Sequence, residues 1–152
     1  MAYWLFKSEP DTFSLDDLQK LGHSPWDGVR NYQARNYLRS MKPGDQGFFY
    51  HSRVDPPGIA GLCKVISQPY ADPTALDPKS KYFDEKSTPD NQRWSLVEVA
   101  YAEHFAHFVT LEQLRTHPNL GKMLVTRKGN RLSITPVEPD EWNIVLQLGR
   151  GK

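Results

Sequence analysis

Side chains that could hold a flat, polar ligand stand at the ends of predicted strands and helices. Trp26 lies between Pro25 and Asp27, just before an amphipathic helix, where an indole face could stack on a nucleobase. Neighbouring hydrogen-bonding groups could then read the edge of that base. The other members of this set are Lys7, Ser8, Glu9, Gly28, Val29, Arg30, Asn31, Tyr50, His51, Ser52, Arg131 and Ser133.

Each member of the set also has a purely structural explanation. Trp26 could cap the core, and Tyr50 could be a core residue of its strand. Asp27 could be the N-cap of the following helix, and Glu9 could accept backbone N–H groups. The set as a whole, rather than any single residue, favours a ligand site. That interpretation requires an exposed indole at position 26.

Basic residues are concentrated in two stretches, although the formal net charge is only +1. Residues 30–53 contain five basic side chains and one acid, and residues 120–135 contain four basic side chains and no acid. A locally positive face suits an anionic partner. Arg35 and Arg39 lie one helical turn apart and could straddle a phosphate backbone. Ordinary solvated charges on a helix face would give the same pattern.

Catalytic and metal-binding patterns are weak in this chain. His51 and Ser52 are adjacent on a predicted strand, so their side chains point to opposite faces and cannot pair as base and nucleophile. His104 and His107 have helical spacing but lack a third ligand at a recognisable distance. Cys63 is the only cysteine, which excludes an intrachain disulfide. We therefore predict no catalytic centre, no metal and no cofactor.

The pattern of apolar residues predicts short strands and helices in an irregular order. Strands are expected at 3–7, 47–52, 59–67, 94–101 and 131–137. Capping boxes predict helices that begin after Ser14 and after Thr110, apolar spacing predicts a helix around Ala34–Met41, and a last helix runs from Pro139 to a stop at Gly149. Residues 68–93 are rich in proline, and we expect an ordered excursion over the sheet.

The order of these elements lacks regular βαβ alternation. We therefore predict an α+β fold, with a mixed, mostly antiparallel, curled sheet and flanking short helices. The 152 residues suit a single domain, 1–152. No apolar run approaches the roughly 20 residues that cross a bilayer, and the N-terminus lacks a basic signal region. We expect an intracellular monomer without a membrane partner, cytoplasmic in a bacterium or nuclear in a eukaryote.

Four stretches of the chain resemble the EVE domain family. They are "YWLFKSEPDTFSLDDL", "WDGVRNYQARNYLRSMKPGDQGFFYHS", "PGIAGLCKV" and "GNRLSITPV", and together they cover nearly the whole chain. EVE domains belong to the PUA-like superfamily with the YTH and ASCH domains, which implies a β-barrel-like sheet. Members are regarded as readers of modified bases in nucleic acid, without catalytic turnover.

The resemblance implies a base pocket with Trp26 as one wall. YTH domains draw a second tryptophan from a strand connection, but the corresponding "RVDPPG" has no aromatic residue, so we expect an aliphatic or proline wall opposite the indole. The predicted pocket comprises Lys7, Ser8, Glu9, Trp26, Asp27, Val29, Asn31, Tyr50, His51, Ser52 and Ser133, and the predicted phosphate ligands are Arg30, Arg35, Arg39 and Arg131.

The predicted function is therefore a non-enzymatic domain that binds a modified base, such as a modified cytosine, flipped from DNA or presented in RNA. One alternative is an RNA-processing hydrolase on an ASCH-like scaffold that uses Lys7, Glu9 or His51. Another is a sensor of a nucleoside, a small molecule or a partner protein. Turnover would indicate the hydrolase, and salt-independent binding of a free nucleoside would indicate the sensor.

Overall fold

The computed structural model describes residues 1–151, which form a six-stranded sheet, a two-stranded sheet and four α-helices. The strands are β1 (Tyr3–Ser8), β2 (His23–Pro25), β3 (Gln46–His51), β4 (Gly58–Val65), β5 (Tyr70–Ala71), β6 (Ser95–Leu96), β7 (Glu98–Thr110) and β8 (Ile134–Val137). The helices are α1 (Leu15–Leu21), α2 (Tyr32–Ser40), α3 (Leu111–Thr116) and α4 (Pro139–Arg150), with 3₁₀ turns at Pro73–Leu76 and Leu124–Thr126.

The large sheet is mixed and has the strand order β2-β7-β4-β3-β1-β8. β1 and β3 run parallel, because α1, β2 and α2 form the long crossover that parallel strands need. All other neighbours in this sheet are antiparallel. Register shifts in the β3–β4 and β4–β7 pairs are irregularities of the kind that bend a strand. The predicted curled, mostly antiparallel sheet is confirmed.

Two apolar cores lie on opposite faces of the large sheet, because successive strand side chains alternate between faces. On β1, Phe6 contributes to the first core and Leu5 to the second. The first core also contains Trp26 and the buried residues of α1 and α2. The second core contains Leu114 of α3 and Trp142 and Val145 of α4. The elements around Trp26 therefore belong to one face of the sheet.

The helix starts follow local capping chemistry. The predicted capping boxes after Ser14 and Thr110 are confirmed, each with reciprocal side-chain and backbone hydrogen bonds. The N-cap of α2 is Asn31, whose side chain accepts a hydrogen bond from the Ala34 N–H. The interpretation of Asp27 as the N-cap is therefore wrong.

The end of α4 differs from the prediction. Gly149 lies inside the helix, and Gly151 is the C-cap with a left-handed φ of 76°. A Cβ atom at position 149 would lie 2.3 Å from the Phe105 ring, so the glycine allows α4 to pack closely on β7.

Within residues 1–151, no helix has the length and apolar character needed to span a bilayer.

The stretch that contains His104 and His107 is extended, so its predicted helical spacing is wrong. Both residues belong to β7, which continues without interruption from Glu98 to Thr110. His104 hydrogen-bonds to the Tyr101 hydroxyl through Nδ1 and to the Asp16 carboxylate through Nε2. The contact with Asp16 links β7 to α1, and the contact with Tyr101 lies within β7.

Residues 68–93 are an ordered excursion, as predicted. The Asp72 N–H donates to the Trp94 carbonyl at 3.0 Å, and the Asp84 N–H donates to the Ala75 carbonyl at 2.9 Å. Within the excursion the 3₁₀ turn begins after Asp72, whose side chain caps it by accepting from the Thr74 N–H. The excursion is thereby folded against itself and against the strand that follows it.

Candidate functional site

A cavity of about 550 Å³ lies beside Trp26. Four segments meet around it: the end of β1 with the turn into α1, the loop from β2 to α2, the excursion near residue 82, and Ser133 just before β8. Its lining residues are Lys7, Ser8, Glu9, Thr12, Phe13, Ser24, Pro25, Trp26, Asp27, Gly28, Val29, Arg30, Lys81, Tyr82 and Ser133. Seven of the eleven predicted pocket residues are among them.

Trp26 is buried, with 8% of its surface exposed, so the prediction of an exposed indole is wrong. β2 pairs with β7, and the Trp26 N–H donates to the Val97 carbonyl at 2.8 Å, which holds residue 26 against the sheet. The rings of Phe6, Phe13 and Phe49 stand at 68° to 89° to the indole. Because the indole also lines the cavity, it belongs both to the first core and to the cavity wall.

Gly28 shapes the loop that carries Trp26 and Asp27. Its φ of +76° favours glycine, and its N–H donates to Asp72 Oδ2 at 2.8 Å. A Cβ atom at this position would lie 2.5 Å from the Tyr82 ring. The glycine therefore permits both the turn and the close approach of the excursion to the loop.

Arg30 fastens the same loop to the excursion. Its guanidinium donates from Nη2 to the Tyr82 carbonyl at 2.7 Å and from Nη1 to Asp72 Oδ2 at 3.1 Å. A further hydrogen bond joins Nη2 to Thr74 Oγ1, and the group also lies 5.4 Å from the centre of the Trp94 ring. These contacts give Arg30 a clamping role at the cavity, and its predicted phosphate contact stays a prediction.

Tyr82 and Phe13 are the aromatic lining residues that the sequence reasoning did not identify. Both line the cavity together with Pro25 and Val29, so the wall includes aromatic rings as well as the expected proline and aliphatic side chains. Tyr82 lies in the irregular "KSKYFDEK" stretch, where an aromatic pair among charges was the available signal. Because Tyr82 is distant from Trp26 along the chain, no local pattern showed that the two residues line the same cavity.

Four predicted pocket residues lie outside the cavity lining. Asn31 caps α2, and Tyr50 is buried in the second core on the opposite face of the sheet. His51 Nε2 accepts a hydrogen bond from the Leu15 N–H at 3.2 Å, so His51 supports the start of α1. The Ser52 N–H donates to the Ser8 carbonyl, which extends the pairing between β3 and β1.

The cavity carries partly desolvated charge. Burial and then the nearby Asp72 carboxylate raise the pKa of Asp27. Burial would also raise the pKa of Asp72, but hydrogen bonds from Thr74, Gly28 and Arg30 outweigh it and lower the pKa. Burial also lowers the pKa of Lys7, whose ammonium lies 5.8 Å from the centre of the ring of Tyr50, a residue of the second core. A ligand with hydrogen-bond donors would therefore relieve the desolvation of Asp27.

The other predicted phosphate ligands lie outside the cavity lining. Arg35 Nη1 donates to the Arg93 carbonyl at 3.1 Å, and Arg39 Nε donates to Ser95 Oγ at 2.9 Å. Arg131 is exposed, two residues before the cavity residue Ser133. Arg35 and Arg39 therefore belong to a surface formed by α2 and the end of the excursion.

Comparisons with known proteins agree with this architecture. Human thymocyte nuclear protein 1 is 40% identical over 167 residues, which cover 97% of this chain and 73% of that protein. A Pseudomonas syringae protein of known structure is 49% identical with a TM-score of 0.93, covering 97% of this chain and 99% of its own. The human THYN1 protein, solved in complex with DNA that contains 5-methylcytosine, is 37% identical with a TM-score of 0.93 and covers 100% of this chain and 99% of its own. The EVE domain family matches residues 2–148, and this chain belongs to that family.

Proposed function

We propose that this EVE domain binds DNA that carries a modified cytosine, and that the modified base leaves the strand to occupy the cavity beside Trp26. The observation that carries the proposal is a cavity of about 550 Å³ lined by an indole, by other apolar groups and by hydrogen-bonding side chains. Ligand sites commonly have this size and mixture. The complex of the human THYN1 protein with DNA containing 5-methylcytosine supports the choice of ligand class.

Stacking against the cavity wall supplies the affinity in this proposal. Trp26 is backed by Phe6 and Phe49, so its indole is fixed before a ligand arrives. Phe13 and Tyr82 add further aromatic surface. Stacking on a fixed aromatic ring contributes roughly 1–3 kcal/mol per base, and a preorganised wall avoids the cost of ordering it on binding.

In this proposal Asp27 recognises the edge of the base by hydrogen bonding. A carboxylate accepts hydrogen bonds from the exocyclic amino group of cytosine, and thymine offers a carbonyl there instead. Burial disfavours the charged form of Asp27. A hydrogen bond from the amino group of the base would compensate the carboxylate for its lost hydration. Val29 and Pro25 provide apolar lining that suits a methyl group. The proposed role is recognition without turnover.

The test compares affinities for matched oligonucleotides with 5-methylcytosine or cytosine, as DNA and as RNA, at two ionic strengths. Trp26→Phe should retain part of the preference for the methylated DNA, because a smaller ring still stacks. Trp26→Leu should lose roughly 1–3 kcal/mol of binding free energy. Trp142→Phe, in the second core, is the matched control and should leave the preference unchanged.

Equal affinity of the unmodified protein for methylated and unmethylated DNA would contradict the proposal. So would a Trp26→Leu variant that remains folded and keeps the full preference. A preference for modified RNA over modified DNA would keep the cavity as the binding site but change the nucleic acid that it recognises.

Asp27→Asn should weaken binding of methylcytosine DNA without affecting its salt dependence, because Asp27 contacts no phosphate in this arrangement.

A further inference from the structure

Three arginines gather beside an exposed tyrosine at the end of the excursion. The Arg93 carbonyl accepts from Arg35 Nη1 at 3.1 Å and from Arg39 Nη2 at 3.5 Å. The guanidinium carbons of Arg35 and Arg93 lie 4.8 Å and 5.6 Å from the centre of the Tyr32 ring. We call Tyr32, Arg35, Arg39 and Arg93 the arginine cluster.

Most hydrogen-bond acceptors of these guanidinium groups are neutral. Arg35 donates to the Asn36 side-chain oxygen, and Arg39 donates to Ser95 Oγ. Within residues 1–151, the cluster has one ion pair, which joins Arg93 to Asp84 at 3.9 Å, and Asp84 also accepts from the Trp94 indole N–H at 2.7 Å. Three positive charges are thus held together with little compensation among the described residues.

Holding like charges together costs free energy that an anion would recover. Desolvation and then the charge of Arg35 lower the pKa of Arg39. Planar guanidinium groups match the oxygens of a phosphate, and several of them can share one such group. The cluster therefore has the chemistry of a phosphate site.

A chain of stacked groups connects the arginine cluster to the cavity. Arg30 lines the cavity, and its guanidinium lies 5.4 Å from the centre of the Trp94 ring. The Trp94 ring in turn stacks on Tyr32 at 4.9 Å, with an angle of 21° between the planes. The cluster is therefore separated from the cavity rim by the buried Trp94 ring.

We propose that Arg35, Arg39 and Arg93 jointly bind one phosphodiester group next to the nucleotide whose base enters the cavity. This inference rests on the proposed function, and it assigns the backbone contact that holds the strand while the base is extruded. Arg93 and Tyr32 are new to the site. Tyr32 positions the cluster, since it holds Arg35 and Arg93 against its ring.

The experiment measures the salt dependence of affinity for a DNA oligonucleotide with a single 5-methylcytosine. The variants are Arg35→Gln, Arg39→Gln, Arg93→Gln and the combination of all three. Arg115→Gln is the control, because it makes the same charge change on α3, which packs into the second core on the opposite face. Binding of free 5-methyl-2′-deoxycytidine and of inorganic phosphate is measured in parallel.

The combined variant should weaken oligonucleotide binding about tenfold or more and reduce the salt slope by roughly 0.7–0.9, the value for one phosphate. Each single change should reduce the slope by less, because the other two arginines still contact the same group. Arg93→Lys should keep most of the salt slope that Arg93→Gln loses, because lysine retains the positive charge. Free nucleoside should bind the combined variant as well as the unmodified protein.

A combined variant with the slope of Arg115→Gln would overturn the inference. So would three single changes that each lower the slope by the full value for one phosphate, because that result would indicate separate phosphates. Inorganic phosphate that binds the cluster as tightly as the oligonucleotide does would indicate a free-anion site instead. The two proposals fail differently. Loss of the cluster alone leaves the preference for the modified base intact, whereas failure of the proposed function removes that preference while the cluster's salt dependence persists on unmodified DNA.

Discussion

Two buried tryptophans on opposite faces of the sheet have different surroundings. Trp142 is 2% exposed, and Tyr3 and Phe48 stack on it at 4.5 Å and 4.2 Å with angles of 18° and 21°. Trp26 is 8% exposed and meets its aromatic neighbours at steep angles, with a cavity beside it. Burial alone therefore does not separate a core tryptophan from one that lines a site. The arrangement of the surrounding rings and the presence of a cavity do.

The largest effect should come from truncating the two tryptophans. Trp142→Ala should lower the free energy of unfolding by about 3–5 kcal/mol, because it empties a fully packed position. Trp26→Ala should cost less, since that indole already borders a cavity, but it should abolish base selectivity. Urea unfolding and oligonucleotide binding measure the two quantities. The distinction between the two tryptophans would be contradicted if both variants lost the same stability and Trp26→Ala kept its base selectivity.

Breaking the clamp at Arg30 should have the next largest effect. Arg30→Gln leaves the buried Asp72 carboxylate without its cation, which should cost about 2–3 kcal/mol. Because the clamp holds Tyr82 at the cavity, base affinity should fall as well. Arg131→Gln, an exposed arginine before β8, is the comparison and should leave stability nearly unchanged. Full stability of Arg30→Gln in urea would show that the excursion is held by other contacts.

Gly28→Ala should have a moderate effect on both properties. The new Cβ would meet the Tyr82 ring, and the positive φ adds backbone strain, for a combined cost of about 1–2 kcal/mol. Gly129→Ala is a matched control, because Gly129 also has a positive φ of 83° but no atom within 4 Å of the added Cβ. Calorimetry and binding should show that only Gly28→Ala weakens base affinity. Equal loss of affinity in both would exclude the Tyr82 contact as the cause.

The effect of Asp27→Asn on stability should be the smallest and should depend on pH. The folded state raises the pKa of Asp27 above its ordinary value of 3.8, so the folded state binds the proton more tightly than the unfolded state does. The unmodified protein therefore loses stability as pH rises from 3.8 through the raised pKa, whereas Asp27→Asn does not. The variant should be more stable at neutral pH, and the difference should vanish below pH 3.8. A difference that is constant with pH in thermal melts would contradict this assignment.

The sequence predicted those features that depend on neighbouring residues. The capping boxes at Ser14 and Thr110 involve groups three residues apart, and the strand β1 begins with a continuous apolar run. The order of the elements predicted the curled sheet, and the resemblance to EVE domains added its barrel-like form and the base pocket with Trp26 as one wall. Seven cavity residues were identified in this way, because they flank the ends of elements that the pattern located.

The features that the sequence did not predict depend on contacts between distant segments. Trp26 is buried because the three-residue β2 pairs with β7, and no local pattern encodes that pairing. Tyr82 is held at the cavity by Arg30, which donates to the Tyr82 carbonyl and pairs with Asp72, and these three residues are distant from one another along the chain or belong to different segments. Tyr50 belongs to the second core and Trp26 to the first, because side chains of β3 alternate between the two faces of the sheet and Phe49 rather than Tyr50 faces Trp26.

The most direct test of the central claim is a crystal structure of this protein with a short DNA that contains one 5-methylcytosine. The account predicts that the methylated base lies in the cavity, with its ring against Trp26 and its amino group within hydrogen-bond distance of Asp27. A methylated base that remains stacked in the duplex, or that binds elsewhere while the cavity holds only solvent, would contradict the account.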